Sequence, residues 1–468
     1  MSHSKPDYLT DLQTKRRAID RLVTPFQHFM KLESAGGVVL VLATAVALIA
    51  ANSPLAHAWH DFWTGFSLQL QIGSYAFPNG KHAGHAEWWV NDALMAIFFF
   101  VVGLELKREF LTGELRNPRK AALPLIAAVG GMAVPGLTYA AFNWGEVTLR
   151  GWAIPTATDI AFALGVLALL GNRVPAGLRV FLVTLAIADD LGALLIIAFF
   201  YTDAKHLSMS SLGMAFGVMG VMTALNVMGV RRWWVYGLLG LVLWWFVLHA
   251  GVHATIAGVM GAMTIPVRTR IDGREFVRKS RELLDIFSKE NDSGNDIVTN
   301  ANQQGAVNAI EQLAEGVQTP LQRLEGAMLP ISAFFVVPIF ALANAGVSFG
   351  DAFGAAVQSR ESWGILTGLL AGKCVGIFVF SLLAVKSGLC ALPSGVTWRH
   401  MLGAALLGGI GFTMSLFIAQ LAFAGPENVQ RLEIAKLSVL IASATSAVVG
   451  AAVLLTCKRT PADVTSQH

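Results

Sequence analysis

Asp189 and Asp190 stand side by side in the stretch Val183-Thr-Leu-Ala-Ile-Ala-Asp-Asp-Leu-Gly-Ala-Leu-Leu-Ile-Ile, with apolar residues on both flanks. Neighbouring helix positions differ by about 100° in direction, so two carboxylates can border one cavity without occupying the same point. Their oxygens are hard ligands suited to a small hard cation. Buried, mutually repelling carboxyl groups also hold protons near neutral pH. Cation and protons then compete for the same oxygens, which is an exchange mechanism provided the site opens to one side at a time. A pair that merely glues helices together is the plainer reading, and the cost of burying two adjacent charges speaks against it.

The acid pair has companions. Thr158 and Asp159 follow Pro155 in Ala153-Ile-Pro-Thr-Ala-Thr-Asp-Ile-Ala-Phe-Ala-Leu-Gly. Proline removes a backbone donor and clashes with the preceding turn, so a helix is expected to break here. A break exposes backbone N–H and C=O groups, and an acidic side chain can offset the positive end of a half-helix. A capped kink with no further role is the alternative. Lys373, in Leu369-Leu-Ala-Gly-Lys-Cys-Val-Gly-Ile, is a cation between long apolar flanks. Unless it snorkels to an interface it needs a partner. The candidates are Asp189, Asp190, or the half-helix ends of a second break at Leu407-Gly-Gly-Ile-Gly-Phe-Thr. Asp92 is read as an interfacial cap. His249 and His253 have the i, i+4 spacing of a zinc site but lack the Glu of H-E-x-x-H and a third apparent ligand, so no metal centre or cofactor is expected. The glycines at Gly408 lack the Gly-Lys-Ser/Thr ending of a phosphate loop.

Elements that carry such groups in an apolar setting dominate the chain. Of its 468 residues, 54% are hydrophobic and only 14% charged, with a mean hydropathy of +0.58. A soluble domain needs more polar surface than this, whereas a bilayer lets apolar side chains face outward. The net charge of +4 comes from Lys and Arg between hydrophobic runs. They form no groove-sized patch, so membrane lipid is an expected partner and nucleic acid is not. Cys374, Cys390 and Cys457 lack CxxC spacing, against redox or zinc chemistry. Lys15, Arg16, Arg17 and Arg21 precede the first apolar run with no cleavable h-region, so no removed signal peptide is expected.

Runs of about 20 apolar residues mark membrane spans. They fall at Gly36 to Ala51, Ala93 to Leu106, Ala121 to Phe142, Leu178 to Tyr201, Ser211 to Val230 and Trp233 to Leu248. Further runs follow at Ala327 to Val347, Trp363 to Val385, His400 to Phe423 and Ala435 to Cys457. The interrupted Gly151 to Leu170 and the short Val252 to Val267 bring the expectation to twelve. With the loops assigned alternately to two sides, 27 of the 34 Lys and Arg fall on the side of the N-terminus and five on the other, with Lys373 and Lys436 inside spans. Both termini are therefore expected in the cytoplasm. Residues 1–32 read as a cytoplasmic segment, 33–457 as the membrane domain and 458–468 as a cytoplasmic tail. Within the membrane domain, 268–325 lacks apolar periodicity and is expected to be a long flexible cytoplasmic loop, with room for a short amphipathic helix around Ala306 to Leu324. On the other face, the 53–89 loop holds the alternating Ser67-Leu-Gln-Leu-Gln-Ile, compatible with a small hairpin serving subunit contact.

From about Leu32 to Cys457 the chain resembles bacterial sodium/proton antiporters of the NhaA type. The resemblance rests on Asn91-Asp-Ala-Leu-Met-Ala-Ile-Phe-Phe, Gly103-Leu-Glu-Leu-Lys-Arg-Glu, Thr158-Asp-Ile-Ala-Phe-Ala-Leu-Gly, Gly251-Val-His-Ala-Thr and Gly409-Ile-Gly-Phe-Thr-Met-Ser. It implies an all-α polytopic membrane protein of twelve transmembrane helices with inverted repeats and two crossing discontinuous helices, the fourth and eleventh spans. It also implies electrogenic, pH-regulated export of Na+ or Li+ from a bacterial cell across the inner membrane, in exchange for a larger number of H+. Asp189 and Asp190 would bind cation and protons, Thr158 and Asp159 would sit at the crossing, and Lys373 would pair with Asp189. Glu105, Arg108, Glu109, His253 and Glu325 match positions tied to pH activation, and a homodimer through the 53–89 loop follows by analogy. A sodium-coupled symporter on a related crossed-helix fold also needs midplane cation ligands, but Lys373 favours antiport, since a buried amine offers another proton-linked switch. An intramembrane aspartyl protease would carry Tyr-Asp and Gly-x-Gly-Asp, which are missing here: Asp159 follows Thr158 and Asp189 follows Ala188.

Overall fold

The computed structural model describes residues 35–72, 75–78, 84–202, 207–269, 271–291 and 300–457. The expected cytoplasmic segments 1–32 and 458–468 lie outside the described residues. In lipid each backbone polar group must be satisfied within its own segment, and the apolar runs accordingly form helices. Eight are long and apolar enough to cross a bilayer: Ala86–Leu111, Pro118–Phe142, Val147–Leu170, Ala176–Phe200, Met209–Val227, Pro320–Asn344, Arg360–Lys386 and Pro426–Leu455. Two bent pairs join them, Ala35–Ala51 with Ala56–Gly65 at 111° and Trp398–Leu407 with Phe412–Ala422 at 43°. Trp233–His249 and Thr255–Thr264 are apolar but have only 17 and 10 residues, short of the ~20 that span a membrane. The architecture is thus an all-helical membrane bundle, and helix length alone does not give twelve spans.

The elements that position the site are labelled in chain order. A hairpin of β1 (Leu70–Ile72) and β2 (Tyr75–Phe77), antiparallel with Leu70 opposite Phe77, comes first. Then follow α1 (Met95–Leu111), α2 (Pro118–Phe142), α3 (Ile160–Leu170), α4 (Ala176–Phe200) and α5 (Thr255–Thr264). After them come α6 (Gly273–Asn291), α7 (Ala301–Val317), α8 (Val337–Asn344) and α9 (Arg360–Thr367). The last are α10 (Lys373–Lys386), α11 (Trp398–Leu407), α12 (Phe412–Ala422) and α13 (Val429–Leu455). The main apolar core is shared by α1, α4, α11 and α12, with Phe99, Leu185, Met401 and Phe417 buried in it. Glycines set how closely α2 and α10 approach: a Cβ on Gly376 would come 2.2 Å from the Gly130 carbonyl oxygen.

The segment 268–325 differs from the flexible loop expected of it. Its described part is mostly helical, and α6 packs against α7. The reason lies in the charges that hide the helical period. Arg278 pairs with Glu282 at 3.1 Å and Lys279 with Glu275 at 2.7 Å, both at i, i+4. Phe276, Ser280, Leu283 and Phe287 meanwhile recur on the partly buried face. Asn300 caps α7 by accepting from the Asn302 and Gln303 backbone N–H groups, and Gln303 Nε2 donates to the Phe287 carbonyl at 3.3 Å, tying the two helices together.

Candidate functional site at a crossing of interrupted helices

Each of the two expected breaks is present. Before α3 the chain winds through the 3₁₀ turns Val147–Gly151 and Ile154–Thr156, then runs without helix from Ala157 to Asp159. Between α11 and α12 the helix stops at Leu407 and restarts at Phe412. Gly151 lies against Phe423, just past α12, while Gly177, in the first turn of α4 and joined to the end of α3 by a short turn, lies against Pro393 and Ser394, just before α11. The two interrupted segments therefore run antiparallel. They also bond to each other at their breaks: Asp159 N donates to Ile410 O at 2.6 Å, and Ser415 Oγ to Ile154 O at 2.7 Å.

Asp159 serves two helix starts at once. Its Oδ1 accepts from Phe162 N at 2.9 Å as the N-cap of α3. Its Oδ2 accepts from Thr413 N at 3.1 Å and from Thr413 Oγ1 at 2.5 Å, in the first turn of α12. One buried carboxylate thus satisfies orphan donors and offsets positive partial charge at two half-helices. The exposed carbonyls receive cations and hydroxyls instead. Lys373 Nζ donates to Thr156 O, and Thr158 Oγ1 lies 2.9 Å from Gly408 O. The break that engages Lys373 is therefore the first, not the second that the sequence put forward.

Asp189 and Asp190 project from α4 toward this crossing and are 0% and 3% exposed. Asp189 Oδ2 lies 2.6 Å from Lys373 Nζ and 2.7 Å from Thr158 Oγ1. Lys373 is itself fully buried, directly after a π-turn at Gly368–Gly372 that alters the helical phase of its side chain. Asp189 Oδ1 and Asp190 Oδ1 are enclosed and have no hydrogen-bond partner among the described residues. Two orphaned carboxylate oxygens on adjacent residues are suited to a proton or a small hard cation. A cavity of about 910 Å³ is lined by Glu109, Glu114, Asn117, Lys120, Val183 and Thr184. Thr184 precedes Asp190 by about 9 Å of helix rise, so the cavity and the acid pair lie along the same helix, α4. At the opposite end a chain of side chains bridges α12, α8 and the π-turn Trp89–Leu94: Gln420 Nε2 donates to Asn344 Oδ1 and to Glu87 Oε1 (3.2 Å), and Asn344 Nδ2 to Asn91 Oδ1 (2.9 Å).

Four of the five positions matched to pH activation come together. Arg108 bridges Glu325 (2.9 Å) and Glu109 (3.1 Å), and Glu109 Oε2 also accepts from Glu114 N at 3.0 Å. Glu105, one turn before Glu109, interacts electrostatically with Glu325, Arg108 and Glu109. His253 stands apart. Its Nε2 lies 2.8 Å from Tyr201 O, beside the start of α5, whereas Lys107 grips the far end of α5 through Met263 O and Ile265 O, both at 2.6 Å. Asp92 caps no helix, contrary to the sequence reading, because the π-turn places it within a continuous span.

Sequence reasoning missed Thr413, Ser415 and the Thr156 carbonyl at the crossing, and Lys107 at the far end of α5. Thr413 and Ser415 lie in the quoted motif Gly409-Ile-Gly-Phe-Thr-Met-Ser, where a hydroxyl in the turn after a break is the detectable sign of a cap. A backbone carbonyl leaves no such sign.

Fold and site together define a multi-pass helical membrane protein with a buried ionisable site at the crossing of two interrupted, antiparallel helices, an arrangement typical of secondary transporters. The chain belongs to the family described as Na+/H+ antiporter 1, whose profile matches residues 27–454. It is 46% identical over 425 residues to the Na(+)/H(+) antiporter NhaA of Oleidesulfovibrio alaskensis, covering 91% of this chain and 92% of that protein. It is 46% identical over 452 residues to the Na(+)/H(+) antiporter NhaA of Acidithiobacillus ferrooxidans, covering 95% and 100%. With the Na(+)/H(+) antiporter NhaA 1 of Saccharophagus degradans the identity is 45% over 438 residues, covering 93% and 92%.

Proposed function

We infer that this protein is a secondary active transporter, not an enzyme, that exports Na+ and Li+ from a bacterial cell in exchange for protons. The observation that carries this reading is the pair of orphaned oxygens on Asp189 and Asp190 beside the Lys373 ammonium. A sodium ion entering from the 910 Å³ cavity takes Asp189 Oδ2 from Lys373 and displaces protons from the site. When the ion leaves on the other side, the protons return and the Lys373–Asp189 pair re-forms. Two proton-bearing groups vacated for one monovalent cation move net charge, so the exchange is electrogenic. The orientation follows from the basic residues: Arg116, Lys120, Arg179 and Arg399 gather at the end where the cavity opens, which faces the cytoplasm of the inner membrane together with both termini. Glu105, Arg108, Glu109 and Glu325 then lie at the mouth of the cytoplasmic path and adjust transport to pH, with His253 acting from the opposite face. The β1–β2 hairpin has two strands and hence free edges, which suits pairing with a second copy into a homodimer.

In everted membrane vesicles carrying a preset pH gradient, adding Na+ or Li+ should dissipate the gradient, more strongly when a counter-ion relieves the membrane potential. Absence of any response between pH 6 and 9 would refute antiport.

A further inference from the structure

Another buried carboxyl lies far from the crossing. Glu361, in the first turn of α9, is 2% exposed, and both of its carboxyl oxygens are enclosed without a hydrogen-bond partner among the described residues. It precedes Lys373 by twelve residues, about 18 Å of helix rise, and so belongs to a different site.

The donors around it are turned elsewhere. Tyr139 on α2 directs its hydroxyl to Thr148 O at 2.8 Å, and Asn143 Nδ2 donates to Tyr139 O and Arg360 O. Arg360, its chain neighbour, pairs with Glu146 at 3.3 Å, while Arg431 on α13 bonds Asn428 Oδ1 at 2.9 Å. Ser438 Oγ donates to Ser362 Oγ at 2.8 Å, and the Ser362 backbone N–H donates to Ser359 Oγ at 3.3 Å. Arg431 and Tyr139 are the charged and titratable groups that act on Glu361 electrostatically, and neither bonds it. An ionised carboxylate stripped of water and donors is costly, whereas the neutral acid carries its own proton.

We propose that Glu361 is a second proton-binding site, set in the outer half of the protein between α2, α9 and α13. The word outer rests on the orientation inferred above; the site itself does not. Loss of this proton leaves a negative charge near Arg431, which can then leave Asn428 and draw α9 toward α13. The proton state of Glu361 is thereby linked to the packing of the span that carries Lys373.

Infrared difference spectroscopy on the full-length protein in liposomes reads this without any transport assay. At neutral pH the wild type should show a protonated-carboxyl C=O band that falls by one group per chain in Glu361→Gln and is retained in Arg431→Gln. Indistinguishable wild-type and Glu361→Gln spectra in that region from pH 5 to 9 would overturn the proposal. So would a band that is absent from the wild type and arises in Arg431→Gln, since it would mean that Glu361 is ionised and sustained by the guanidinium. Should Glu361→Gln fail to fold, Glu361→Asp serves instead: a shifted band supports the site, and an unshifted one overturns it.

Discussion

Lys373 and Asp189 share a contact with no exposed edge, so neither can lose its partner cheaply. Lys373→Ala leaves an unpaired buried acid and is expected to destabilise the protein by about 3–5 kcal/mol, read as a lowered melting temperature in detergent. Adding Asp189→Asn to that variant should restore part of the loss, which a double-mutant comparison measures. Asp190→Asn should abolish the sodium response of vesicles while the protein still inserts; normal transport would contradict the role assigned to Asp190. Thr413→Val removes a hydroxyl donor from Asp159 and should cost about 1–3 kcal/mol. The acids and the lysine were legible from sequence because a charge in an apolar run demands an explanation. Thr156 was not, because its contribution is a carbonyl that any residue carries.

At the level of elements, proline and glycine announced the two breaks and the family resemblance implied that the broken segments cross, but nothing in the order of residues named the bonds between them. Those depend on antiparallel placement, which the Gly151–Phe423 and Gly177–Pro393 contacts reveal. Of the α6–α7 pair, α7 overlaps the short amphipathic helix expected around Ala306 to Leu324, whereas α6 was missed for the opposite reason: its charges masked a regular helical period. The close approach of α2 and α10 gives a test. Gly376→Ala places a methyl group 2.2 Å from the Gly130 carbonyl, and the strain of about 1–3 kcal/mol should push α10 outward and lower transport more than Asp189–Asp190 burial alone predicts. A vesicle assay alongside a melting curve separates the two effects. Lys107→Met should loosen the end of α5 by about 2 kcal/mol, since two charge-assisted bonds to carbonyls are lost.

For the molecule as a whole, hydropathy was enough to read a membrane bundle, because it reflects the bilayer rather than any particular contact, and the bias of basic residues proposes a sidedness that labelling tests. Cysteines introduced by Arg360→Cys and Arg399→Cys should react with an impermeant maleimide from opposite sides of the membrane, the first from outside intact cells. Deleting 70–77 should convert a homodimer to monomers in native gels while leaving the fold of each subunit intact. The shared carboxylate of Asp159 has a mechanical meaning at this scale. Because it holds the starts of α3 and α12 together, sliding one crossing segment past the other would break its bonds to Phe162 or Thr413, whereas a rotation about that point would keep them. Arms on either side of a fulcrum move in opposite senses, so a tilt that closes the molecule at one end opens it at the other.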